Sequence, residues 1–351
     1  MASPRFFADP MVPVAYYHCI SRVVERRLAF GPEEKEQFVR LMRAYEGFCQ
    51  MRVLSYCVMS NHFHIMVEVQ KRPEGEVYSD AWLLKQVALI YSKPAVRAIK
   101  EALETFRKQG HDQSADDLKE KYLMRMWDVS QFMKELKQRF SLWFNKREKR
   151  KGTLWEERFT SVLLEGELAT LSVMSAYIDL NPVRAGLMQD PKDYRWCSYA
   201  EAVAGGRKAL SALDTITREH RAHEASLPVE QRRMPKPEKV LSEYRVWLFG
   251  QGEEVRDGDG ADSQVVRKGI RREVVEQVRG QSGKLTLAET LRHRVTYFTA
   301  GVALGRRSFV DSFFDVHREQ FDPRRKQGAR PMRGGSFAGM FTFRAPRVGV
   351  V

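Results

Sequence analysis

Tyr56-Cys57-Val58-Met59-Ser60-Asn61-His62-Phe63-His64-Ile65-Met66-Val67 is the stretch on which the fold turns. Two β-rich runs, 53–58 and 63–69, flank the tight Met59-Ser60-Asn61 segment, which predicts a β-hairpin. Strand period two sends Phe63, Ile65, Val67 and Val69 to one face and His62 and His64 to the other. The apolar residues thereby have their own core, and two imidazoles are held side by side. Outward on the N-terminal side, 16–24 reads as a strand. Pro32 then opens a helix over 33–49, with Phe38, Leu41, Met42, Tyr45 and Phe48 at helical spacing. On the C-terminal side a helical pattern covers 81–108 and is broken by the polar GHDQSA at 110–115. Helical patterns resume at 117–126 and, after Ser130 as cap, at 131–148. A strand follows at 158–164, then a helix at 167–180 that Pro182 stops. The order strand, helix, hairpin, helices, strand, helix predicts an α/β (α+β) protein: a four-stranded antiparallel sheet with helices on one face.

Beyond about residue 204 the texture changes, with Pro228, Pro235 and Pro237 in a polar stretch and an acidic, glycine-rich GQGEEVRDGDG at 250–260. The expected organisation is a catalytic-type domain over 1–203 with an insertion near 110–127, a linker over 204–263, a largely helical region over 264–321, and a basic flexible tail over 322–351. Within 285–314, two helical patterns meet near ALGR at 303–306, which suits a helix-turn-helix or a plain helical hairpin.

The chain has 351 residues and a net charge of +14, with 43% apolar and 30% charged residues, which excludes a membrane bundle, a fibre and a mostly disordered chain. No apolar run is long enough for a span and the start lacks a signal-peptide core, so a cytoplasmic protein is expected. The four cysteines form no C-x-x-C pair and read as buried, reduced thiols. The charge is uneven. Between Lys137 and Arg158 there are eight basic and three acidic residues, interleaved with Phe140, Trp143, Phe144 and Trp155. Cations beside aromatics have the composition of a single-stranded nucleic-acid groove. The run 323–351 has seven basic and no acidic residues and adds non-specific phosphate affinity. A solubilising surface is the competing reading of both.

Two constellations carry chemistry. His62 and His64 could chelate a divalent cation, or bond only locally. In Ala176-Tyr177-Ile178-Asp179-Leu180-Asn181-Pro182-Val183-Arg184, Tyr177 and Asn181 are i and i+4 and project from one helix face. Tyr177 is either a half-buried helix residue or a nucleophile. In the second case it needs help from a cation gripping a phosphate, because a phenol is a weak nucleophile at neutral pH.

Together these segments resemble the single-tyrosine HUH transposases, and within them the REP-associated tyrosine transposases. The blocks that carry the resemblance are Tyr17-His18 with Ser21-Arg22, the YCVMSNHFH run at 56–64, Trp155-Glu156-Glu157-Arg158-Phe159, the stretch 177–187, and DPKDYRWCSY at 190–199. They cover about 14–203. The resemblance implies a ferredoxin-like domain, Mg²⁺ or Mn²⁺ on His62 and His64 with Asn181 completing the metal site, and Tyr177 as the nucleophile. It implies cleavage of single-stranded DNA near a hairpin through a 5′-phosphotyrosine, without ATP. The sequence departs from the family pattern at Ser60, where proline is usual, and at Asp179, where histidine is common.

The expected function is therefore a metal-dependent single-stranded DNA endonuclease and strand transferase. Arg22, Lys137, Arg139, Lys146, Arg147, Lys149, Arg150, Lys151, Arg158 and Arg184 are the candidate DNA-binding residues, and a homodimer is an open option. The alternative is a domesticated, non-catalytic binder of palindromic DNA or structured RNA. A small-phosphoester hydrolase leaves the basic stretches unexplained.

Overall fold

The computed structural model describes residues 6–9, 11–188, 190–217, 240–241, 244–245, 247–248, 255–256, 265–267, 301–321, 323–331 and 339–344. The predicted hairpin is present as β2 (Met51–Val58) and β3 (His62–Gln70), preceded by β1 (Val14–Arg22) and α1 (Pro32–Phe48). Pro32 starts α1 where its missing N–H costs nothing, and Glu33 and Glu34 lie in the first turn, where the helix dipole favours acids. The helical pattern over 81–108 divides into α2 (Asp80–Val87) and α3 (Lys93–Lys108), because Pro94 must occupy a first turn. The polar break before the next helix is only a turn through Gly110, with φ +71°, leading into α4 (Asp112–Leu123). Helix α5 (Val129–Arg147) is capped by Asp128, whose carboxylate accepts from the amides of Ser130 and Gln131, and not by Ser130 itself.

After β4 (Thr160–Leu164) come α6 (Leu168–Asp179) and the one-turn α7 (Asn181–Arg184), then α8 (Ser198–Val203) and α9 (Arg207–Thr217). The linker expected from 204 therefore begins later. Ala209, Ala212, Leu213 and Ile216 of α9 are buried in the same cluster as α6 and β2. A short ladder joins β5 (Val255–Arg256) and β6 (Val265–Arg267).

The fold class is the expected mixed α/β, but the sheet has seven strands in the order β2-β3-β1-β4-β7-β9-β8. The additional strands β7 (Gly301–Gly305), β8 (Arg330–Pro331) and β9 (Phe341–Arg344) come from the C-terminal region expected to be helical or a flexible tail. The GVALG of β7 is small and apolar, and it pairs parallel to β4 with Leu163 opposite Ala303 and Leu164 opposite Leu304. The second helical pattern is α10 (Arg307–Val316), but its junction is this strand rather than the turn of a helix-turn-helix. The first pattern, before residue 301, lies outside the described residues.

Helices cover both faces, not one. Phe63, Ile65 and Val67 of β3 pack with Phe38 and Met42 of α1 and Phe132, Leu136 and Phe140 of α5. Met66 on the opposite face packs with Leu54, Val162, Met174, Tyr177 and Leu213. Each fully buried side chain of this kind contributes about 1.5–3 kcal/mol. All four cysteines are free and buried. No helix among the described residues is long and apolar enough to cross a membrane.

Candidate functional site

The antiparallel register of β1 and β3 sets Arg22 opposite His62, Ile20 opposite His64 and His18 opposite Met66. Alternation then places His18, Arg22, His62 and His64 on one face, with His18 and His64 as diagonal neighbours. The diagonal is closed by a 3.0 Å contact between His18 Nε2 and His64 Nδ1, and the two rings stack with centroids 5.2 Å apart. His62 meets His64 edge-on at 5.1 Å. His18 and His64 are buried, and His62 is partly exposed at the end of the strand. Burial, then the neighbouring His62, His18, Arg184 and Arg22, holds the His64 pKa well below the usual histidine range, so that ring is neutral.

Helix α6 lays Tyr177 across these imidazoles. Its ring centroid is 5.7 Å from His64 and 5.9 Å from His18, nearly perpendicular to both. Leu180, with φ −82° and ψ −1°, links α6 to α7 almost continuously, so Arg184 folds back over the tyrosine. The Arg184 guanidinium lies 4.1 Å from the Tyr177 ring centroid and donates to the Tyr177 carbonyl at 2.9 Å. Asn181 Nδ2 donates to the carbonyls of Tyr177 and Ile178, both at 3.1 Å. Its amide nitrogen thus closes the helix end, and Oδ1 is the atom with ligand chemistry.

Behind the helix Asp179 is fully buried. It accepts from Ser198 Oγ at 2.7 Å, the Tyr199 amide at 3.2 Å and the Tyr244 hydroxyl at 2.7 Å. Burial still pushes its pKa up to about 6.

By chemistry, the donor set offers a divalent cation two imidazoles and one amide oxygen. Among the described residues no group of three or more His, Cys, Asp or Glu could hold a metal ion. A cation here would rest on His62, His64 and the neutral amide of Asn181, leaving positions for phosphate oxygens.

The basic stretch differs from its sequence reading. Phe140, Phe144 and Trp155 are core residues, not stacking platforms for bases. The Trp155 indole donates to the Lys137 carbonyl and to Ser141 Oγ, and it packs against Phe30, Phe38, Phe63 and Phe140. The aromatic spacing recorded a helix packing on a sheet. Lys137 is buried and donates to the Glu157 carbonyl at 2.8 Å, which removes it from a DNA surface. Arg147 pairs with Glu33 and Glu34, and Arg150 donates to the Thr153 carbonyl. Arg22, Arg139, Lys146, Lys149, Lys151 and Arg158 are exposed. The Val23–Trp155 bridge and the Glu156 amide bonded to the Arg22 carbonyl bring the Arg158 segment beside Arg22 at the histidine end of β1.

The sequence offers His18 only as part of the Tyr17-His18 block and gives no sign of the clasp of Arg184 on Tyr177. The signal for the first is register: the antiparallel pairing of β1 with β3 sets position 18 opposite 66 and therefore diagonal to 64. The second needed the continuity of α6 and α7 across Pro182, which the sequence presents as a stop.

Fold and site together define a mixed α/β protein with paired histidines on a central strand and a helix-borne tyrosine against them. Residues 11–82, which include His18, His62 and His64, match the family model described as transposase IS200 like, so this segment carries that family's pattern. A solved REP-associated tyrosine transposase bound to a REP hairpin is similar over 59% of this chain and 87% of its own, at 14% identity and a TM-score of 0.37. No curated protein sequence matches the chain.

Proposed function

We propose that this protein is a metal-dependent enzyme that nicks and rejoins single-stranded DNA at hairpin or palindromic sites, with Tyr177 as the nucleophile. The observation that supports it most is that one chain brings the Tyr177 ring within 5.7 Å of His64 and sets His62 beside them. The match of residues 11–82 to a transposase family supports the same reading. Tyr177 Oη attacks the phosphorus, the bond to the 3′ oxygen breaks, and that oxygen leaves with a proton as a 3′-OH. The phenol loses its proton, and the 5′ phosphate stays on the protein as a phosphotyrosine diester. Attack by a 3′-OH reverses the step and releases Tyr177, so bond energy is conserved and no nucleotide cofactor is consumed. Mg²⁺ or Mn²⁺ on His62, His64 and Asn181 would supply charge neutralisation at the scissile phosphate. Arg184 orients the phenol, and Arg22, Arg158, Lys149 and Lys151 offer exposed charge for the strand.

End-labelled single-stranded DNA with a hairpin, incubated with Mg²⁺ or Mn²⁺, should give a covalent adduct on a denaturing gel. The adduct should vanish in Tyr177→Phe and on chelation. The second reading, a binder of palindromic DNA or structured RNA, has on its side that Tyr177 is only 4% exposed and lies beneath Arg184. Tight binding across several hairpins with no adduct would install it.

A further inference from the structure

A neutral imidazole can ligate a cation only through the nitrogen that lacks a proton, so the usefulness of His62 and His64 depends on which nitrogen carries it. Neighbours outside the pair decide this. Asn61 Nδ2 lies 3.0 Å from the Arg26 carbonyl. A carbonyl only accepts, so the amide nitrogen faces Arg26 and the amide oxygen faces His62. That oxygen is 2.7 Å from His62 Nδ1 and also only accepts, which leaves His62 Nδ1 as the donor and Nε2 as the lone-pair atom. The anchor is tied to the neighbouring turn from both sides. Glu25 and Arg26 hold left-handed φ angles of 58° and 55°, and the Val23 amide donates to the Asn61 carbonyl at 2.8 Å, so turn and asparagine clasp each other.

His64 presents its own Nδ1 edge to His18 Nε2 at 3.0 Å. One proton serves that contact. When His64 supplies it, His64 Nε2 is a lone pair on the ring edge away from His18. When His18 supplies it, His64 cannot ligate through Nε2. His18 Nε2 is committed to His64, which puts His18 in the supporting layer and not among the ligands.

We propose that Asn61 and His18 are positioning residues that hold His62 and His64 both as Nδ1–H tautomers, so that two Nε2 lone pairs face one site. The cation that would use them belongs to the function proposed above; the His62 tautomer rests on the Asn61 hydrogen bonds alone, and the direction of the His18–His64 proton is the half of the proposal that the experiment decides. Ligating histidines elsewhere are commonly fixed by such a second hydrogen bond, and its loss costs about 10–100-fold in metal affinity.

Long-range ¹H–¹⁵N correlation of the full-length, metal-free, ¹⁵N-histidine-labelled protein reads tautomers directly, with His62→Gln and His64→Gln supplying assignments. Both rings should show protonated Nδ1 and acceptor Nε2. An Nε2–H pattern at either ring overturns the assignment for that ring. Asn61→Leu should release His62 into a mixture and weaken Mn²⁺ binding, followed by electron paramagnetic resonance, by about 10–100-fold. Asn61→Asp keeps the acceptor and should hold the tautomer. His18→Gln, with an amide oxygen in place of Nε2, should preserve the His64 pattern that His18→Leu loses. Unchanged tautomers in both Asn61→Leu and His18→Leu would overturn the proposal. Correct tautomers with no Mn²⁺ binding in the wild type would sink the metal reading and leave the positioning roles standing.

Discussion

Asp179→Asn should flatten the pH dependence of stability that this carboxyl imposes. Its folded pKa is raised from the ordinary 3.8 to about 6, first by burial, and the hydrogen bonds from Tyr244, Ser198, the Tyr199 amide and Cys197 recover only part of the cost. Because the folded value is the higher, the native protein holds a proton between about pH 4 and pH 6 that the unfolded chain has released. The contribution is fully present below the unfolded value and is lost as pH rises through the folded one. At about 1.4 kcal/mol per pH unit between the two values, the loss is about 3 kcal/mol. The amide of the variant does not titrate, although its nitrogen can no longer accept from the Tyr244 hydroxyl. That defect is a constant offset, so only the slope is informative. Urea unfolding of both proteins at half-unit steps from pH 4 to 7.5 gives the difference in stability at each pH. The wild type should fall relative to Asp179→Asn by about 3 kcal/mol over the window. A difference that stays level, or a wild type that gains with rising pH, would refute the argument that desolvation outweighs the hydrogen bonds.

Phe63→Ala should cost about 3–5 kcal/mol in denaturant unfolding, since Phe63 is fully buried against Phe38 at 4.5 Å and Trp155 at 5.5 Å. Gly305→Ala would drive a methyl into Glu165 where β7 meets β4, and a loss of about 1–3 kcal/mol is expected; an unchanged midpoint would mean that this junction yields freely. Replacing Lys149 and Lys151 by Ala should weaken binding to hairpins of unrelated sequence alike, and reduce the slope of log affinity against log salt by about 0.7 per lysine that touches phosphate. Arg184→Ala should slow adduct formation while DNA affinity changes little, because Arg184 is committed to the Tyr177 ring and carbonyl. A loss confined to affinity would return it to the phosphate-contact role read from sequence.

The hairpin was legible because strand period two is a local property: Phe63, Ile65, Val67 and Val69 fall in one cluster and Met66 in the other, as alternation requires. The boundary of α1 was legible for the same reason, through Pro32 and its acids. What failed was long-range. No local feature of GVALG states that it will lie parallel to β4 across more than a hundred intervening residues, and its glycines weaken any strand reading. The basic and aromatic run misled because composition does not distinguish a ring on the core side of a helix from one on its outer side. Of that run, the exposed Lys146, Lys149 and Lys151 face solvent while Phe140 and Phe144 fill the core.

Asp179, one of the two departures from the pattern the sequence resembles, falls behind the site and not within it. Tyr177 and Asn181 are one helical turn apart, whereas Asp179 lies between them in sequence and turns to the Ser198 and Tyr244 side. Its carboxylate joins the start of α8 to α6, and Ser198 Oγ in turn meets Ser55 Oγ of β2 at 3.0 Å. On the opposite side the same helix presents Tyr177 to His18 and His64, with Arg184 over the ring. The helix is therefore fixed from two directions by independent contacts. A tyrosine that must meet a phosphorus in line gains from such restraint, because misplacement by about 1 Å can cost 10²-fold in rate. Under the proposed function residue 179 can thus vary in chemical type so long as it holds α8, whereas Tyr177 cannot. A substitution at 179 that leaves α6 in place should spare the chemistry even where it lowers stability.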